Sequence, residues 1–150
     1  MNITEITSTK TQAAVRLRLA PYCRVSSDSA DQLHSFAAQI RYYSDYAKKH
    51  PEYQLVDIYA DEGITGTEMK KRDELKRLIA DCKKGKVDRI IVKSVSRMAR
   101  NTEELLVMIR MFKDIGVSVY FEEQGIDTEK LNMEMIVTFP GMAAQQESVN

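Results

Sequence analysis

The sequence predicts an α/β fold, a mostly parallel sheet of four to five strands flanked by helices. Two observations carry this. The hydrophobic period alternates along the chain between 2 and 3.6, giving strand then helix four times over. One strand-like run, Ile90-Ile91-Val92, is continuously apolar, as a strand covered on both faces should be. The 150 residues suit one compact domain, and no internal repeat interrupts them.

Residues 1–14 are polar, rich in Thr and Ser and without period, so they read as a flexible N-terminal tail. The ordered domain then runs over 15–150. Val15, Leu17 and Leu19 alternate with Arg16 and Arg18, and the strand continues to Cys23. Pro21 has no N–H for a ladder, so this strand is expected at an edge or locally irregular. Leu33, Phe36, Ala37, Ile40, Tyr43 and Ala47 fall at helical spacing, predicting a helix from about Asp31 to Lys49, with Pro51 beyond its end. Residues 55–60 read as the second strand. They run into Asp61-Glu62-Gly63-Ile64-Thr65-Gly66-Thr67, a loop by its glycines and hydroxyls. Leu75, Leu78, Ile79 and Cys82 predict a helix over 72–84, with Gly85 as its C-terminal cap. The apolar strand within 87–93 follows.

Asn101 with Glu104 three residues on resembles a capping box, and Leu105, Met108, Ile109 and Phe112 mark its helix, closed by Gly116. Val117, Val119 and Phe121 form a fourth strand, and 125–130 read as loop. Helical spacing resumes at Leu131, although Pro140-Gly141 should break or kink it. The sequence stops at Asn150 within a helical pattern, so it reads as the front part of a longer protein.

Composition narrows the function. Lys+Arg and Asp+Glu both number 22, so the net charge is zero, which argues against strong nonspecific nucleic-acid binding by this stretch as a whole. It leaves room for a locally basic cleft. Cys23 lies in a strand-like run and Cys82 on an apolar helix face, so both read as reduced core thiols. His34 and His50 stand alone, without metal-ligand spacing. The N-terminus lacks a signal-peptide core and no apolar run reaches membrane-spanning length, so the expected location is the cytoplasm.

Parallel strands deliver their C-terminal ends to one sheet edge, where ligands of open α/β sheets bind. The first end brings Arg24 and Ser26. The second brings Asp61 and the Thr65-Gly66 loop, with Arg72 opening the next helix. The third brings Arg97 and Arg100. One hydroxyl, one carboxylate and four arginines would meet there. Arginine suits bidentate phosphate contact. A serine attacking a phosphodiester builds extra negative charge, which preplaced guanidiniums stabilise without a metal. Taken alone, Ser26 and Ser27 read more readily as the start of a turn or a cap of the next helix. Arg97 and Arg100 read as a solvated helix start, although cations are unfavourable there.

These stretches resemble the serine recombinases, the resolvase and invertase family. Tyr22-Cys23-Arg24-Val25-Ser26-Ser27 is similar to the family's Tyr-x-Arg-Val-Ser-Thr signature. The 61–67 stretch with Arg72 is similar to its second motif, and Ser96-Arg97-Met98-Ala99-Arg100-Asn101 to its third. Gln145-Gln146-Glu147-Ser148 resembles the opening of its long dimerisation helix. Together these cover about 22–148. The resemblance implies a resolvase-like catalytic domain, truncated within or before that helix. It implies that Ser26 attacks DNA to give a 5′-phosphoserine, that Arg24, Arg97, Arg100 and Arg72 hold the phosphate, and that Asp61, Thr65 and Gln39 order the pocket around Tyr22 and Ser96. It further implies no nucleotide cofactor and no metal, a homodimer assembling to a tetramer, and DNA affinity carried mainly by a C-terminal region.

Ser96, where small resolvases usually have Asp, resembles the large serine integrases. Thr65 stands where Ser is commoner, Ser148 where small resolvases carry Arg, and Pro21 and Pro140 are unusual. A transposase using the same domain, or a noncatalytic α/β dimerisation or regulatory module, remains an alternative. A flavodoxin-like nucleotide binder is disfavoured by a first loop poor in glycine and hydroxyls.

Overall fold

A computed structural model describes residues 16–26, 35–63 and 72–132, together with 134, 135 and 138. The elements, in order, are β1 (Leu17–Ser26), α1 (Phe36–Lys49), β2 (Tyr53–Leu55), β3 (Tyr59–Gly63) and α2 (Asp73–Lys83). Then come β4 (Arg89–Val92), a short α3 (Val95–Met98), α4 (Thr102–Asp114), β5 (Ser118–Phe121), β6 (Ile126–Asp127) and a 3₁₀ turn (Thr128–Lys130). The predicted tail over 1–14 and the Thr65 loop lie outside the described residues, as does most of the last helix.

The sheet is mostly parallel, as the alternating periods predict. β1 is its central strand. It pairs with β2 along its first half and β3 along its second, and with β4 on the opposite side. β5 continues the parallel order and β6 closes it antiparallel. β6 and the 3₁₀ turn lie where the sequence reads as loop, since two residues are too few to show a period.

Pro21 therefore sits in a central strand, not at an edge. The Leu17 N–H donates to the Glu52 carbonyl, and the Val56 N–H to the Leu19 carbonyl. In a parallel ladder alternate residues face the same neighbour, so the next donor on this side would be residue 21. Proline has none. The partner chain leaves the ladder there, over 56–58, and the single strand expected over 55–60 is split into β2 and β3.

Strand alternation divides the core between the two faces. Ala20, Tyr22, Ile90, Val92, Val119 and Phe121 face α2 and α4, meeting Leu78, Ile109 and Phe112. Leu19, Cys23 and Ile91 belong to the second cluster, with Tyr43 of α1. Each fully buried large apolar side chain contributes about 1.5–3 kcal/mol. Cys23 and Cys82 are free, buried in these separate clusters, and burial pushes both thiols up to about 12.

The helix ends explain themselves locally. Ser35 caps α1, its Oγ accepting the Ala38 N–H, so the helix begins later than the Asp31 expected from periodicity. Gly85 and Gly116 close α2 and α4 at φ 77° and 79°, a conformation in which a β-carbon is strained.

Candidate active site

The C-terminal ends of β1, β3 and β4 share one edge. Arg24 pairs in register with Asp61, and Ser26 with Gly63. Neighbouring strands lie about 4.8 Å apart, so the residues read as separate motifs are adjacent through the ladder. Ser26 is the last residue of β1. Ser27 and Thr65 lie outside the described residues.

A narrow cleft at this edge is lined by Tyr22, Arg24, Gln39, Tyr43, Lys93 and Arg97, with Cys23. It unites four sequence-predicted residues. Arg24 reaches it from β1, Gln39 from α1 and Arg97 from α3. Lys93, directly after β4, completes three cations. Its place at the end of the apolar run was the available signal, but charged residues after strands are common. The Nε of Arg24 is buried and has no hydrogen-bond partner among the described residues. Buried donors are nearly always paired, so an unpaired arginine N–H in a residue that shares its cleft with two further cations calls for an anion.

Short α3 sets Arg97. Its first N–H, from Val95, donates to Oε1 of buried Gln124 rather than to a local cap. Arg97 is the third residue of α3, which is a single turn of helix. Both arginines therefore stand at helix starts as expected, Arg97 in the one turn of α3 and Arg100 just before the Asn101 cap of α4. Glu103 and Glu104 in the first turn of α4 offset Arg100. Ser96 is exposed, and its hydroxyl bonds the Ser94 hydroxyl at 3.1 Å.

Asp61 is 5% exposed and faces inward. Its Oδ2 accepts the Tyr22 hydroxyl at 2.7 Å and the Leu75 N–H at 3.1 Å, and its Oδ1 accepts the Glu74 N–H at 2.9 Å. It caps α2 from another strand, supplying what the N-cap residue Arg72 does not. Burial, then the bond to Asp61, pushes the Tyr22 phenol above its ordinary range. Tyr22 and Asp61 tie β1, β3 and α2 together beneath the cleft.

Arg72 and Arg100 line a second cleft of about 180 Å³, with Lys76, Glu104, Leu75 and Met108 among its walls. The four arginines are therefore divided between two clefts. Arg72 is 12% exposed and forked on Glu104, Nη1 to Oε1 at 3.0 Å and Nη2 to Oε2 at 2.6 Å, while Nη1 also donates to the Met98 carbonyl. Asn101 caps the Glu104 N–H as the capping box predicts. The return bond departs from the box: the Glu104 carboxylate accepts from Arg100, not Asn101, because Arg72 draws it aside.

Glu122, half-buried after β5, accepts both Tyr42 and Tyr43 hydroxyls, at 2.6 and 2.8 Å. It ties α1, which carries Gln39, to the sheet edge. Neither Glu122 nor Gln124 had a local signal, since their partners lie far along the chain. Among the described residues no three His, Cys, Asp or Glu side chains are grouped to hold a metal.

Comparison with known proteins places this geometry. Residues 19–150 match the family model of the resolvase N-terminal domain. A resolvase/recombinase of Pseudomonas putida is 30% identical over 131 residues, covering 87% of this chain and 65% of its own length. The transposon Tn3 resolvase of Escherichia coli is 29% identical over 131 residues, covering 87% and 64%. The chain thus spans just under two thirds of the length of these relatives. A resolvase family site-specific recombinase from Streptococcus pneumoniae superposes with a TM-score of 0.67 at 29% identity, covering 89% of each chain. The N-terminal catalytic domain of TP901-1 integrase superposes at 0.68 and 24% identity, covering 87% of this chain and 96% of that one, a likeness of fold. With its α/β architecture, its mostly parallel sheet and a family match over nearly all its described residues, the chain belongs to the resolvase N-terminal domain family.

Proposed function

We propose that this chain is the catalytic domain of a site-specific DNA recombinase and that Ser26 is its nucleophile. The observation that carries the reading is the cleft at the end of β1, which is lined by Arg24, Lys93 and Arg97 and contains a buried Arg24 Nε with no hydrogen-bond partner among the described residues. Three cations there suit a phosphodiester and the added charge of its transition state.

The Ser26 hydroxyl attacks the scissile phosphorus. A P–O bond forms to Ser26 as the bond to the 3′ oxygen breaks, leaving a 5′-phosphoserine and a free 3′-hydroxyl. The ester conserves the phosphodiester linkage. The 3′-hydroxyl of an exchanged strand then attacks it and frees Ser26. No net oxidation, hydrolysis or nucleotide is required. Arg24 and Arg97 hold the phosphate, and Arg100 and Arg72 join it from the second cleft. Gln39, Tyr22 and Ser96 line or flank the site, Thr65 is assigned to it by the resemblance of the 61–67 stretch to the family's second motif, and Asp61 acts as a positioning residue through Tyr22 and α2.

Residues 15–150 form the catalytic domain, leading into a long dimerisation helix. The full protein binds DNA mainly through a C-terminal region, pairs as a homodimer, joins two sites as a tetramer, and acts in the cytoplasm. Among the described residues no helix is long and apolar enough to cross a membrane.

The test is strand cleavage by the full-length protein on a duplex carrying its crossover site, nicked so that cleavage is trapped. Arg24→Ala and Arg97→Ala should each slow cleavage by roughly 10²–10³-fold, the cost of removing one charge-stabilising donor. A chelator should leave the rate unchanged. Undiminished cleavage by Arg24→Ala would remove the cleft from the chemistry.

A further inference from the structure

The second cleft contains a carboxylate, where the first contains an arginine N–H unpaired among the described residues. A guanidinium fork presents two parallel N–H groups that fit a carboxylate and a phosphate equally well. In this structure Glu104 fills the Arg72 fork, at 3.0 and 2.6 Å. The Arg72 charge in turn holds the Glu104 carboxyl below its ordinary value, chiefly through that hydrogen bond. Both groups are largely shielded, 12% and 26% exposed.

We propose that Glu104 is the positioning residue of Arg72. It occupies the fork in the place of a phosphate group, and the second cleft accepts a DNA phosphate only when that phosphate displaces the carboxylate. This deepens the recombinase reading and rests on it for the identity of the phosphate.

Three features make the exchange local. Arg72 is anchored independently of Glu104 by the Met98 carbonyl at 3.1 Å, so its guanidinium stays in place when the fork changes partner. Glu104 retains an independent hold too, because its carboxylate accepts the Arg100 N–H at 2.8 Å and its own N–H donates to Asn101. Arg100 and Lys76 line the same cleft and add charge to receive an anion. The arrangement keeps Arg72 extended and pre-aimed when no DNA is bound. It also raises the threshold for phosphate entry, because a tethered carboxylate is always present to compete.

The probe is inorganic phosphate, titrated into the 150-residue chain at constant ionic strength. The readout is the Arg72 side-chain Nε–Hε NMR signal, assigned by its loss in Arg72→Lys. Glu104→Gln keeps the length and the acceptor for Arg100 but removes the charge, so phosphate should bind roughly tenfold more tightly than to the wild type. Glu104→Asp keeps the charge on a shorter arm and should show wild-type or intermediate affinity. A merely structural glutamate would weaken phosphate binding in all three variants, including Glu104→Ala, in step with their loss of thermal stability. That result overturns the proposal. So does equal affinity in Glu104→Gln and wild type, or an Arg72 signal that ignores phosphate in both. None of these readouts involves Ser26, so the proposal and the cleavage chemistry fail separately.

Discussion

Removing the Asp61 carboxylate should destabilise the domain through two identifiable losses. In Asp61→Ala the Tyr22 hydroxyl, on a side chain only 1% exposed, loses its acceptor. Stranding a buried hydroxyl costs about 1–3 kcal/mol. The Glu74 and Leu75 N–H groups at the start of α2 lose their cap, worth about 0.5–2 kcal/mol. Together these give about 3 kcal/mol. For a domain of this size each kcal/mol moves Tm by about 2–4 °C, so a fall of about 6–12 °C is expected. Tyr22→Phe removes one bond and strands no donor, so it should cost about 1 kcal/mol. The double variant should cost less than the sum of the singles, because the phenylalanine removes the hydroxyl that Asp61→Ala strands. Urea unfolding of the four proteins measures all three quantities. A cost below about 0.5 kcal/mol for Asp61→Ala, or strict additivity in the double variant, would refute the capping account.

Other expectations follow from the same geometry. Asp88 is held below its ordinary value chiefly by Arg18, and Glu104 by Arg72. Depressed carboxyls stabilise the fold above their unfolded values and lose that contribution as pH falls through the folded ones. Urea midpoints should therefore decline from about pH 4.5 downward, and less steeply in Glu104→Gln. Buried Cys23 and Cys82, with thiols near 12, should resist a disulfide reagent at pH 8 in the native protein and react fully in denaturant. Glu122→Ala should cost about 1–3 kcal/mol by stranding the buried Tyr43 hydroxyl, and should loosen α1, seen as faster amide exchange in that helix than in α4.

What could be read from the sequence was whatever depends on near neighbours. Period marked α2, α4, β4 and β5, and Gly85 and Gly116 closed their helices as expected. Three strand ends could be assigned to one edge because parallel order alone requires it. The features that escaped are set by partners distant in the chain. Pro21 breaks the strand beside it rather than its own. Asp61 caps a helix begun by Arg72, Gln124 caps α3, and Glu104 turns from its own capping box to Arg72. Each is a side-chain to backbone or side-chain to side-chain bond across the fold, and no local pattern records it. Hence the four arginines were legible as an edge, while their division between two clefts was not.

The most direct test of the account is the identity of the residue that becomes bonded to DNA. The full-length protein would be trapped on its nicked crossover site, digested, and the nucleotide-bearing peptide sequenced by mass spectrometry. The account predicts a 5′-phosphate ester on Ser26, absent from Ser26→Ala. A DNA-bound protein with no adduct, or an adduct on a residue away from the β1 end, would contradict it.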